Sequence, residues 1–336
     1  MKHIKYITVT VLAALSLWQP RASAQTPAAQ TPAELAKALG FTAAEITQIE
    51  AGEIVTKDLK EGSDKELAGV VAVFFKKPVS ELAEIALQGK MLETDKDIRA
   101  FRVWKPDASS DEAFAGVGLD ATESDEVEIF SRASAGEKLN LSAAEIEQFR
   151  KTKRDPSAVS AQLRLMLKAR YAAYRQSGLN GIAPYARGGS KTAMPGQELA
   201  LAIKETMTAA RRQDYFQALL SYPANPLPDV EHRFCWFKQE VEGRPTFVLA
   251  HRAIRRAANA ALLTEEQYYV GHSYNSDFIA SGGLQVQGGT LVFYVNRTFT
   301  DQVAGFGSGM KHSIGRGRML SEVAANLKRI REQLQK

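Results

Sequence analysis

From residue 320 onward, apolar side chains return every third or fourth position, at Leu320, Val323, Ala324, Leu327, Ile330 and Leu334, with Lys and Glu between them. That spacing predicts a long amphipathic helix at the end of the sequence with one apolar stripe to bury. Between residues 230 and 300 the pattern changes to short runs rich in Val, Phe, Tyr and Thr, which predict strands over 232–241, 246–255, 267–274 and 290–300. Glu242-Gly243-Arg244-Pro245 reads as a tight hairpin with Gly243-Arg244 as its two-residue loop. Such short connections imply an antiparallel meander.

The first half mixes both periods. Pro32 opens a helix behind Thr31, and Thr42-Ala43-Ala44-Glu45 is a capping box in which hydroxyl and carboxylate each satisfy a free backbone N–H. Ser142-Ala143-Ala144-Glu145 repeats it, and Asp155-Pro156-Ser157 starts a helix of several turns that ends near Gly178. Strands are expected at 53–59, 67–75, 101–104, 114–119 and 127–130. A short helix after Pro78 has Val79, Leu82, Ala83 and Ala86 on one face. Residues 178–196 are rich in Gly and Pro and read as an elaborated surface loop, with a lid as the alternative. Helices return at 198–207 and 214–220, and a Gly-rich link over 305–317 is expected before the last helix.

This order of elements predicts an α+β fold. It resembles the helix-grip architecture of the START-like, or polyketide-cyclase-like, superfamily, and uncharacterised exported bacterial proteins of similar outline. The resemblance rests on element order over residues 52–336 and on no motif. It implies a sheet wrapped around the C-terminal helix, with a cavity between them for a lipid or another apolar ligand. The expected organisation is a leader at 1–24, a helical segment at 25–52 and a START-like domain at 53–336 carrying a helical insertion at about 142–222.

The leader follows from Lys2, His3 and Lys5, an apolar stretch from Ile7 to Leu17, and the small-x-small site Ala22-Ser23-Ala24. The apolar stretch is too short to span a bilayer core of about 30 Å. A cleavable signal peptide is therefore expected, with a mature protein starting at Gln25 and working in the periplasm, or secreted as the alternative. Its loss removes Lys2, Lys5 and Arg21 and no acid, so the formal charge falls from +5 to +2. So small a surplus gives no basic face for nucleic acid. Hydrophobic residues at 45% and charged ones at 24% exclude wholesale disorder. Cys235 is the single cysteine, so no internal disulfide can form, and between Phe234 and Trp236 it reads as a small buried hydrophobe.

With the first hairpin closed at Gly243-Arg244, Trp236 lies opposite His251, and a turn near Ala261-Leu262 puts His251 beside His272. One concave face is then expected to hold Trp236, His251, Tyr268, His272 and Tyr274, joined by Phe293 or Tyr294, as an apolar pocket with a polar spot. No metal is expected, because two histidines fall short of the usual three protein ligands, and no cofactor is expected. Gly-x-Ser-x-Gly, His-Glu-x-x-His and P-loop patterns do not occur. The acids Asp120, Glu123, Asp125, Glu126 and Glu128 read as the solvent face of a strand. Lys311, Arg316 and Arg318 offer a transient contact with an anionic membrane surface. The expected function is binding of a hydrophobic or amphipathic small molecule without turnover. An enzyme using His251 or His272 as acid and base, and an interaction module without a cavity, are the alternatives.

Overall fold

The computed structural model describes residues 32–335 apart from 211 and 306. The expected leader, the Thr31 cap and the terminus at 25–31 lie outside the described residues. The chain runs α1 (Pro32–Ala38), α2 (Ala43–Glu50), β1 (Val55–Asp58), β2 (Glu66–Phe75), α3 (Val79–Leu87) and β3 (Ile98–Trp104). A helical stretch follows: α4 (Ser110–Ala113), α5 (Ser124–Ser131), α6 (Ala143–Lys151) and α7 (Pro156–Ser177). The small hairpin β4 (Tyr185–Ala186) and β5 (Thr192–Ala193) precedes α8 (Pro195–Ala210) and α9 (Gln213–Leu220). Five strands come next, β6 (Val230–Val241), β7 (Arg244–Ala257), β8 (Ala260–Val270), β9 (Ser276–Val286) and β10 (Gly289–Phe299), and α10 (Ser308–Leu334) ends the described chain.

The fold is α+β, with an eight-stranded sheet in the order β1-β2-β10-β9-β8-β7-β6-β3, antiparallel at every described pairing. An antiparallel sheet with a long C-terminal helix on one face is compatible with a helix grip. Among the described residues, no helix is long and apolar enough to cross a membrane.

Local chemistry accounts for several helix starts. Thr42 and Ser142 both close complete capping boxes, and Asp155 accepts from the Ala158 N–H at 2.9 Å. Helix α7 stops at Gly178, whose φ of +56° suits glycine, and a Cβ there would lie 1.9 Å from the Tyr222 carbonyl oxygen.

Each face of the sheet buries a different layer. Phe74, Phe234, Trp236, Leu249, Phe278, Leu291 and Phe293 pack under α1, α2 and α5–α9 in the main core. Their sequence neighbours Val71, Val73, Phe75 and Val292 point the other way, onto Leu320, Leu327 and Ile330 of α10 and Leu82 of α3. Alternation along each strand thus assigns α10 and the helical stretch between β3 and β6 to opposite faces.

Several expectations need correction. Residues 127–130 belong to α5, in which Glu126, Val127 and Phe130 turn inward together at helical spacing. Of the acids around it, Asp120, Asp125 and Glu128 keep much of their exposure, whereas Glu126 is buried and holds Arg244 through both oxygens at 2.7 and 3.1 Å; Asp120 and Glu123 meet Lys238 Nζ at 2.8 and 2.7 Å. Residues 114–119 form no strand; Phe114 caps α4, and it and Val117 anchor the loop in the main core. Strand β9 lies outside the expected set, because Gly282-Gly283 interrupts its apolar run. A Cβ on Gly283 would come within 3.1 Å of a Val79 methyl on α3, a tight contact that glycine avoids. The expected link over 305–317 is mostly helix, because α10 already begins at Ser308.

Candidate functional site

The first hairpin turns one residue earlier than expected. Glu242 and Gly243 form the loop with φ of 53° and 74°, the left-handed pair a type I′ turn requires, and Val241 faces Arg244. Trp236 therefore pairs with Leu249, and His251 with Phe234. The second turn falls at Ala258-Asn259, which places Glu266 opposite His251 and carries His272 beyond the end of β8. A bulge opposite Leu249/Ala250 leaves Tyr268 as the unpaired residue, so Tyr268 and Tyr269 both enter the main core.

The expected site is thus divided. Trp236, Tyr268 and Phe293 lie in the main core, away from α10, and Trp236 Nε1 donates to the Ala113 carbonyl at 2.9 Å. His251 is on the same side, buried under α7. His272 sits apart, 2.5 Å from the Thr246 hydroxyl and 2.7 Å from that of Ser273. Burial, with Arg244 nearby, pulls its imidazole down to about 4. Tyr274 lies on the opposite face, where its hydroxyl joins Gln239 and Gln267, each at 2.8 Å.

His251 belongs to a hydrogen-bonded chain that sequence periodicity did not reveal. Tyr174 of α7 donates to Glu266 at 2.5 Å, so its oxygen accepts from His251 Nδ1 at 2.8 Å. His251 Nε2 then accepts from His232 Nδ1 at 2.9 Å, a tautomer assignment that follows from the network. Burial and the neighbouring His251 and Arg175 bring His232 down to about 4. Tyr268 stacks on Tyr174 with ring centroids 4.1 Å apart, and neither its hydroxyl nor Glu266 Oε1 has a partner among the described residues. Such a chain can pass a proton inward from His232. The space beside His232 is only about 10 Å³, room for a water and for no organic substrate.

Larger spaces lie elsewhere: one of about 370 Å³, half open to solvent, against Leu179, Met194, Ala200 and Leu220, and one on the other side of the sheet. A cavity of about 220 Å³, partly open to solvent, is lined by α3, α10, residues 91–98 and the faces of β2 and β6–β10. Its walls are largely apolar, including Leu82, Phe237, Leu263, Val292 and Leu327. The apolar residues on this face fall into three separate clusters around that space instead of one continuous core. A volume of roughly 150 Å³ holds a benzene ring, so this cavity is ligand-sized at the small end. Of the expected site residues, Tyr294, the alternative to Phe293, lines it; Trp236, His251, Tyr268, His272, Tyr274 and Phe293 do not, and neither does any residue of 178–196.

Its polar atoms concentrate on β8 and the strands beside it. Arg252 Nε meets Glu265 Oε2 at 2.6 Å with both side chains 7% exposed, and Gln267 donates to the other Glu265 oxygen at 3.0 Å. Opposite Gln267 in the β8–β9 register stands Asp277, which accepts from Thr298 at 2.7 Å and Asn296 at 2.5 Å. Burial pushes its carboxyl up to about 7, and the charge of Glu265 adds to the rise. Among the described residues, no group of three or more His, Cys, Asp or Glu side chains could hold a metal ion. Cys235 is buried and free, and burial pushes its thiol up to about 12, as suits a packing residue.

Compared with protein families, with curated proteins and with solved structures, the chain matches none.

Proposed function

We propose that this protein is a START-like, helix-grip binder of a hydrophobic or amphipathic small molecule, held between the sheet and α10 and not turned over. One observation carries the proposal: a largely apolar space of about 220 Å³ lies where the C-terminal helix crosses the sheet, bounded by α3 and six strands. A cavity with a few convergent polar groups is the usual form of a small-molecule site. The position supports the helix-grip resemblance, while the lining belongs to the face opposite Trp236, His251, Tyr268 and Phe293, and Tyr274 stands on that face behind Gln239 and Gln267.

The two histidines lend no support to an enzyme. His251 has both ring nitrogens engaged on the far face, and His272 is bonded to Thr246 and Ser273. Export to the periplasm belongs to the proposal on the strength of residues 1–24. So does a transient membrane contact, supported by Met310 and Ile314, which are 74% and 66% exposed one turn apart on α10.

Native mass spectrometry of protein purified from its own cell envelope tests the reading. A small-molecule adduct on the wild type that Ala86→Phe loses, with the fold intact by circular dichroism, is the expected result. An adduct that survives a blocked cavity would sink it.

A further inference from the structure

Arg252 lines the cavity from β7, and its hydrogen-bonding capacity is only partly used. Its Nε donates to Glu265 Oε2 at 2.6 Å and its Nη1 to the Ala86 carbonyl, in the last turn of α3, at 3.2 Å. Nη2 makes no hydrogen bond with the described residues and keeps accessible surface, although the side chain as a whole is only 7% exposed. A guanidinium carries N–H donors on every nitrogen and none of them can be given up as a proton, so the wall holds a fixed cation with a donor edge left over.

The other ionised groups of the lining are in the opposite condition. Glu265 accepts from Arg252 on one oxygen and from Gln267 on the other. Asp95 accepts from Asn326 Nδ2 at 2.7 Å and from the Asp97 N–H at 3.0 Å, one on each oxygen. Ser281 and Tyr294, direct partners across β9 and β10, line the same space, and their hydroxyls, free of hydrogen bonds to the described residues, can each donate or accept. The charged atom that awaits a partner is therefore Nη2, and the partner it favours most is a carboxylate, because hydrogen bonds between ionised groups are shorter and stronger than neutral ones.

Resting on the binding reading above, we propose that the cavity takes a small carboxylate with an apolar tail or ring, about nine non-hydrogen atoms in all when its volume is scaled from the benzene-sized case. The ligand carboxylate meets Arg252 Nη2, and its apolar body lies against Leu263, Val292 and Leu327. Glu265 keeps the Nε side of the guanidinium. Two carboxylates then share one cation, and the repulsion between them limits the affinity.

Titration of the purified protein at pH 7.5 with heptanoate, its neutral isostere heptanamide and heptylammonium, followed by amide NMR chemical shifts, tests the head group. Heptanoate is expected to bind about tenfold more tightly than heptylammonium and about fivefold more tightly than heptanamide. Glu265→Gln removes the competing charge and should tighten heptanoate about threefold, a change that a purely structural Arg252 would not produce. Arg252→Met/Glu265→Leu should weaken heptanoate about tenfold with the fold intact by circular dichroism, and Glu265→Gln alone suffices if the double variant fails to fold. Equal affinities, a preference for the amide or the ammonium, or no tightening in Glu265→Gln would overturn the head-group inference and leave the binding site standing. Absence of binding by all three, or binding that survives Ala86→Phe, would overturn the binding site itself.

Discussion

Removing Arg252 separates a dry cavity wall from a wet one. Its guanidinium and the Glu265 carboxylate are 2.6 Å apart at their nearest atoms, and each side chain is 7% exposed. With roughly 4 Å between charge centres and an effective dielectric near 20, their attraction is about 4 kcal/mol, much of it offset by the desolvation of both ions. Arg252→Met leaves Glu265 with only the Gln267 amide and also removes the 3.2 Å bond to the Ala86 carbonyl of α3. The expected loss at pH 8 is about 3–5 kcal/mol, the usual cost of stranding one buried charge. The double variant Arg252→Met/Glu265→Leu replaces the pair by apolar groups and should return to within about 1 kcal/mol of the wild type. Urea unfolding followed by circular dichroism measures all three proteins. A loss under about 1 kcal/mol, or a double variant no better than the single, would refute the premise that this wall is excluded from water.

Substitutions at the other buried polar groups have equally definite outcomes. Tyr174→Phe strands Glu266 and His251 and should cost about 2–3 kcal/mol, whereas Tyr268→Phe removes a hydroxyl with no partner and should be neutral or stabilising; urea midpoints compare them. Asp277 keeps its proton up to about pH 7 when folded but ionises near 3.8 when unfolded, so its contribution is lost as pH rises through that window; Asp277→Asn should therefore gain stability over the wild type more at pH 8 than at pH 5. His232 and His272, both near 4 when folded against 6.5 when unfolded, act in the opposite sense; replacing either by Gln should flatten the fall in stability between pH 6.5 and 4, by up to about 1.4 kcal/mol for each step of one in pH.

Features that depend on neighbours in sequence were legible. Thr42, Ser142 and Asp155 cap helices because a capping hydroxyl or carboxylate finds its N–H within three residues, and the stripe from Leu320 to Leu334 packs as its spacing requires. The alternation at Asp125–Phe130 misled, because Glu126 is buried by Arg244, a residue 118 positions away, and no local pattern announces that partner. The site was harder still. Both hairpin registers were displaced by an even number, so Trp236 and His251 were rightly placed on one face. Which face α10 covers is decided by tertiary packing, and the unpaired Tyr268 exchanged the sides of the residues after it. Arg252, Glu265 and Gln267 gave no signal for the cavity, because His251, Thr264 and Glu266 beside them make both faces of these strands polar at that point.

The central claim is that space under α10 is open to a ligand. A crystal structure under xenon pressure tests it directly. The account predicts a xenon atom between α10 and the sheet, in contact with Leu263, Val292 and Leu327, and its disappearance in Ala86→Phe. Density showing Phe237, Leu263 and Leu327 packed against one another, with no space between them, would contradict it.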